Sequence, residues 1–397
     1  MTLESWQKNL ATIFAAELLA IMAFTFVDPL MPLYIQQVGG FITKQAAFWS
    51  GVAAGGLGVA LFSASPLWGL VADRIGRKPM VLRAMFGGAL IVTLMGFAPN
   101  IYFLIGLRWC QGLVTGTMAA SSALATAMTP RNRISFAIGL ITVAVFGGSS
   151  LGPLLGGVVA DYLGYRATFY VSGGLLLLGG LIILLGVREK FERPARGEGV
   201  SLRNMLRLAG SKEMLPLLIA LCLLGIGPAM VSPLISLLVK ELNPEGQAAT
   251  AAGLTFSLMG VAAAISSVVS GRLGERISLR KIMIISCLGT GLFYLPPMWA
   301  GSVGQLLTFL ALTGLLRGGL TTSSNSLVGL LAVQSQQGVA YGLSQSASSL
   351  GSGLGPLIGG SLAQLLGLKP IFAVTAGLHV LVAVFIALLS RSYQRKG

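Results

Sequence analysis

Apolar residues in this chain run in long, nearly unbroken stretches, not in the alternation of strands or the one-sided stripes of soluble helices. Each stretch is long enough for a helix to cross a bilayer, which takes about 20 residues. They fall near 10–38, 48–71, 80–98, 101–127, 135–160 and 167–187, then near 214–239, 248–271, 281–300, 303–332, 339–364 and 370–390. The pattern predicts twelve membrane-spanning helices, six on each side of a polar stretch from Arg188 to Glu213. The expected organisation is a six-helix bundle at 1–188, a linker at 189–212 and a second six-helix bundle at 213–397. The prolines of Asp28-Pro29-Leu30-Met31-Pro32 predict a bent or broken helix end, which a membrane tolerates where the freed backbone is buried or lines a cavity.

The two halves repeat one another. Gly139, Gly148, Gly152, Pro153, Gly156 and Gly157 recur in order and spacing as Gly342, Gly351, Gly355, Pro356, Gly359 and Gly360, each set inside an apolar run. A repeat of half the chain points to two pseudo-symmetric bundles, an architecture of transporters. The expected fold class is therefore an all-α membrane protein. Small residues at these spacings let helix backbones approach and slide, so Gly148, Gly152, Pro153, Gly156 and Gly157 and their second copies are candidate helix seams.

Composition sharpens this picture without changing it. Of 397 residues, 54% are hydrophobic and 10% charged, a balance that a soluble domain of this size could not solvate. The net charge of +15 could suggest nucleic acid, but the basic residues are spread over loops of one parity. With the N-terminus inside, Lys8, Arg74, Arg77, Lys78, Arg83, Arg131, Arg133, the linker basics, Arg272, Arg276, Arg280, Lys281 and the basic tail are cytoplasmic. Only Lys44, Arg166, Lys240 and Lys369 fall on the other side. This positive-inside bias predicts cytoplasmic termini and a basic face meeting anionic lipid headgroups, with no nucleic-acid partner. Glu17 and Asp28 in the first apolar segment mark it as a retained span and not a cleaved signal. Cys110, Cys222 and Cys287 lie in three different helices without metal spacing, so neither a disulfide framework nor a metal site is expected. No GxxxxGK[ST] occurs, which excludes ATP hydrolysis by that motif, and no cofactor is called for.

Between the second and third helices stands Gly69-Leu70-Val71-Ala72-Asp73-Arg74-Ile75-Gly76-Arg77-Lys78, echoed by Gly271-Arg272-Leu273-Gly274-Glu275-Arg276. Gly69, Asp73, Arg74, Gly76, Arg77, Lys78, Glu275 and Arg276 are candidates for a charged conformational latch between halves. With Leu104-xxx-Arg108-xx-Gln111-Gly112, the Gly139–Gly157 set and Asp28-xxx-Pro32, these motifs resemble the major facilitator superfamily over essentially the whole chain. They are most similar to its multidrug branch of drug:proton antiporters. The resemblance implies packing of the fifth helix on the eighth and of the eleventh on the second, and a cavity lined by the first and fourth helices. It also implies a monomer in the inner membrane of a bacterium. The second half departs from the pattern. Ser278 stands where the first copy has Gly76, and Arg317 where it has Gln111.

Ionisable groups at bilayer depth cost about 2.5–3.5 kcal/mol each, so each needs a partner or a water-filled cavity. Glu17 and Asp28 are eleven residues apart on the first helix, which returns them to one face about 16 Å apart. Arg108 lies about 10 Å deep against about 15 Å for Asp28, so the two can pair. Asp28, then Glu17, are the expected proton carriers, with Arg108 tuning Asp28. Phe24, Met31, Tyr34, Gln111, Met118, Phe146 and Arg317 are candidates for an adaptable substrate cavity. Asp161, beside Tyr162 and Arg166, reads as a loop ion pair, and His379 as a satisfied or lipid-shielded side chain. The expected function is proton-coupled efflux of small amphiphilic or cationic substrates, and not an enzymatic reaction. The alternative is carriage of a sugar, metabolite or lysolipid on the same scaffold.

Overall fold

The computed structural model describes residues 5–130, 133–189, 207–212, 214–331 and 337–394. Most of the expected linker at 189–212 therefore lies outside the described residues. Helices are α1 (Ser5–Val27), α2 (Met31–Gly39), α3 (Thr43–Ile75), α4 (Arg77–Gly96), α5 (Ile101–Val114), α6 (Thr117–Met128), α7 (Ile134–Leu163) and α8 (Tyr165–Gly186). After the linker come α9 (Met214–Leu242), α10 (Ala248–Leu273), α11 (Leu279–Tyr294), α12 (Val303–Leu331), α13 (Gln337–Leu366) and α14 (Pro370–Gln394).

These make twelve spans. The break expected at the prolines is a 3-10 turn, Asp28–Leu30, between α1 and α2. Ten helices are long and apolar enough to cross a membrane among the described residues. The other two spans are exceptions for distinct reasons. The fourth is divided into α5 and α6, of 14 and 12 residues, where the sequence predicted one run over 101–127. The eleventh, α13, is 30 residues long but begins with glutamine and several serines. Large apolar side chains such as Leu90, Leu185 and Leu381 face outward, as a bilayer allows and water would not.

Backbone proximity divides the chain into two compact units. One holds Met1–Gly40, Val59–Gly197 and Gln247–Ser257. The other holds Phe41–Gly58, Glu198–Gly246 and Leu258–Gly397. Each unit thus takes one half-helix from the opposite half of the sequence: the start of α10 joins the first, and the start of α3 joins the second.

Glycines explain the exchange. In the first unit, a Cβ on Gly157 would lie 2.8 Å from the Ala249 carbonyl carbon of α10, and one on Gly253 would lie 2.8 Å from that of Pro153. In the second, a Cβ on Gly51 of α3 would sit 3.1 Å from the Gly360 Cα of α13. The remaining glycines of each copy serve a different contact. Gly148, Gly152 and Gly156 lie on Ile21, Met22 and Phe26 of α1, while Gly351, Gly355 and Gly359 lie on Cys222, Ile226 and Met230 of α9. Each copy therefore presents three glycines to the first helix of its own half and one, the last, to the borrowed half-helix. Hydroxyls add to these seams: Thr25 Oγ1 donates to the Gly148 carbonyl at 3.0 Å, and Ser172 Oγ to that of Ala23 at 2.7 Å.

Candidate functional site

Two acids of the first span, Glu17 on α1 and Asp28 in the turn after it, meet the two halves of the fourth span. At the far end, Asp28 opens the 3-10 turn and pairs with Arg108 of α5 through its Oδ1. The pair is lopsided: Asp28 keeps 47% of its side chain exposed and Arg108 only 6%. The guanidinium also donates from Nη1 to Gln111 Oε1 at 2.8 Å, while its Nε is buried without a partner. Sequence depth put Asp28 and Arg108 close enough in level to pair, and the fold brings them together, with Gln111 completing a triad.

Eleven residues earlier, Glu17 is wholly buried. Ser121 Oγ of α6 donates to its Oε2 at 2.7 Å, and Thr117 lies one turn away on the same helix. Glu17 Oε1 has no hydrogen-bond partner. Among the described residues the groups that act on this carboxyl are hydroxyls, not cations. Two carboxyls on one helix face therefore sit in opposite environments, one half-open and ion-paired, the other sealed and uncompensated.

Between them the fourth span breaks. α5 ends at Val114, where Thr115 donates its N–H and its hydroxyl to the Gln111 carbonyl at 2.9 and 2.7 Å. Gly116 follows at φ +116°, and α6 starts at Thr117. That backbone region is open to glycine and strained for side chains that carry a Cβ. Sequence reasoning missed the break and with it Thr117 and Ser121. The one available signal was Thr115-Gly116-Thr117, a polar interruption in an apolar run.

The proposed cavity residues scatter. Met118 is exposed on α6, and Phe24 and Phe146 are partly buried. Met31 is buried, and Gln111 is occupied by Arg108. Tyr34 is core: it is 1% exposed, its hydroxyl donates to the Met95 carbonyl, and its ring lies 4.7 Å from that of Phe169. Arg317 is exposed on α12, where its charge reaches Tyr294 and His379. His379 is buried, with Nδ1 at 2.8 Å from the Thr375 carbonyl, so that nitrogen carries the proton; Nε2 has no partner.

The latch motif is compact. Its loop is a single residue, Gly76 at φ +104°, between α3 and α4. The backbone N–H groups of Arg77 and Lys78 donate to the two carboxylate oxygens of Glu189 at 2.9 and 2.7 Å. Lys78 Nζ in turn donates to the carbonyls of Leu184 and Val187 at the end of α8. The start of α4 and the end of α8 thus cap one another reciprocally. Arg74 is exposed, as are Glu275 and Arg276 in the turn after α10; Gly69 belongs to α3, and the side chain of Asp73 lies outside what is described. Arg83, grouped by sequence with this loop, sits within α4 with its guanidinium carbon 3.6 Å from the centre of the Trp68 ring.

Asp161 is not in the loop ion pair that its neighbours suggested. Its oxygens accept from the Ala249 and Thr250 N–H groups at 3.3 and 2.7 Å, capping α10. Arg166 turns instead to Tyr34. The unpaired N–H groups of a helix start attract a carboxylate as strongly as a local cation does.

This is the geometry of a transporter: duplicated helix sets, close glycine seams and intramembrane carboxyls on a discontinuous span. The family model described as Major Facilitator Superfamily matches residues 13–246 and 217–397. The chain belongs to that family, and is a multi-span membrane transporter. Within it the chain is MdtG-like. It is 32% identical over 385 residues to the multidrug resistance protein MdtG of Citrobacter koseri, covering 96% of this chain and 94% of that one. It is 31% identical over 385 residues to the protein of that name from Escherichia coli, with coverage of 96% and 94%. The fold also matches the crystal structure of a bacterial homologue of the human lysosomal transporter Spinster, with TM-score 0.82 at 15% identity, covering 100% of this chain and 99% of that one. Human MFSD10 (TETRAN), an organic anion transporter, matches with TM-score 0.71 at 20% identity, covering 97% and 100%.

Proposed function

We propose that this transporter expels amphiphilic, mainly cationic small molecules in exchange for protons. In this reading it works as a monomer in the inner membrane of a bacterium, with both termini in the cytoplasm. The efflux reading draws on the multidrug resistance relatives. The proton reading rests on one observation: Glu17 is a fully buried carboxyl met, among the described residues, by the Ser121 and Thr117 hydroxyls alone, with Oε1 unpartnered. A buried carboxyl lacking a cation partner is stable as the neutral acid and becomes costly when ionised, so exposure to water on either side would exchange its proton. Asp28 already has Arg108 and is the weaker candidate, which reverses the order expected from sequence. Asp28, half-open beside apolar α1 and α5 surfaces, suits the charged end of a lipophilic cation.

The test is a proteoliposome assay with an imposed pH gradient and a panel of ethidium, a neutral dye, a monosaccharide and a lysolipid. Gradient-driven movement of ethidium, unaffected by the sugar or lysolipid, supports the reading. Movement of sugar or lysolipid alone assigns the chain to the alternative carrier class.

A further inference from the structure

The first span holds both halves of the fourth, but by different chemistry. Asp28 grips α5 through a guanidinium, and Glu17 grips α6 through a hydroxyl. The joint between the grips is Thr115-Gly116, where Thr115 closes the last i→i−4 bond of α5 and Gly116, at φ +116°, breaks the helix. α6 leans on α1, α4 and α7, and α5 on α4 and α2, so the half-helices have partly separate supports. Such an arrangement is a hinge with one fixed and one conditional attachment. The Asp28–Arg108 attachment is an ion pair. The Glu17 attachment depends on the protonation of its acid.

We propose that the fourth span is a proton-switched hinge, in which Glu17 controls the placement of α6 relative to α5 about Gly116. This rests on the proton-coupled reading above and names how that proton would act. With a proton on Oε1, Glu17 is neutral and the described contact with Ser121 is complete. When that proton passes to water, a charge remains on a carboxyl that faces only the Ser121 and Thr117 hydroxyls. No charged side chain of α4, α6, α7 or α8 answers it among the described residues. The N–H groups at the start of α6, unpaired by helix geometry, belong to the helix that already presents Thr117 and Ser121 to Glu17. Their approach to Glu17 requires α6 to turn about Gly116, and the glycine permits it. Glu17 is here a positioning residue whose effect on substrate passes through α6.

The experiment labels Phe103 on α5 and Ala127 on α6, both exposed, with nitroxides on a background in which Cys110, Cys222 and Cys287 are replaced by serine. Label distances are measured in nanodiscs from pH 5 to pH 9. The wild type is expected to show two distance populations whose ratio changes at least tenfold over that range. Glu17→Gln, which mimics the neutral acid, is expected to hold the low-pH population throughout. Gly116→Ala is expected to abolish the exchange between populations. A wild-type distribution that does not change with pH overturns the proposal, as does a Glu17→Gln protein that keeps the wild-type response. Because no substrate is needed, the hinge is judged even if ethidium is not transported. Absence of ethidium transport by a protein with a working hinge would instead count against the efflux reading. Glu245→Gln serves as the control: an exposed acid in the loop before α10, it leaves the Glu17 contact intact and should retain the pH response.

Discussion

Asp28 and Arg108 form one ion pair but differ in what each leaves behind when the other is removed. Arg108 is buried, so Asp28→Asn strands a guanidinium among apolar neighbours with only Gln111 to receive it. Asp28 is half exposed, so Arg108→Gln leaves a carboxylate that water can reach. An unsatisfied buried charged group costs about 1–3 kcal/mol or more, whereas an exposed pair is worth about 0–1 kcal/mol. Asp28→Asn should therefore lower the midpoint of thermal unfolding in detergent by more than Arg108→Gln does. Equal midpoints would show that Arg108 is hydrated in the absence of its partner. That the two could pair was legible from sequence, because helix rise converts position into depth and the family resemblance puts the first and fourth helices on one cavity. The isolation of Glu17 was not, because burial depends on neighbours from α6 that become visible only when the fourth span is seen to break.

Among the helices, the duplicated glycines divide by what stands opposite them. Gly139 and Gly342 have nothing within 4 Å of an added Cβ, while Gly157 and Gly360 face the backbone of the borrowed half-helices. Gly139→Ala and Gly342→Ala should be neutral or stabilising by about 0.5–1 kcal/mol, since alanine favours helix. Gly157→Ala and Gly360→Ala should push the helices apart and abolish transport, with a lower unfolding midpoint. The periodicity in the sequence identified the whole set, but only the packing separates the two kinds. The caps behave similarly. Asp161→Ala frees the first N–H groups of α10 and should cost about 0.5–2 kcal/mol. Hydrogen exchange should then rise at Ala249 and Thr250 and remain unchanged in α14. Glu189→Ala should do the same at Arg77 and Lys78. Both capping acids were misread or overlooked in the sequence because a cap joins residues distant along the chain, 88 positions apart for Asp161 and Ala249.

For the molecule as a whole, hydrophobic patterning was enough to define twelve spans, because a bilayer imposes length and apolarity on every crossing segment, while the family resemblance came from the loop and helix motifs. It could not reveal that each compact unit takes a half-helix from the opposite half, since that exchange depends on backbone contact at a few glycines. If Glu17 carries the coupling proton, its loss must uncouple the gradient from the substrate. Wild type and Glu17→Gln can be compared in proteoliposomes loaded with ethidium, with and without an imposed pH gradient. The gradient should drive ethidium uphill through the wild type. Glu17→Gln should lose this gradient-driven accumulation by at least about tenfold, or about 1.4 kcal/mol in coupling, while still allowing ethidium to run downhill. Undiminished uphill transport by Glu17→Gln would contradict that role for Glu17.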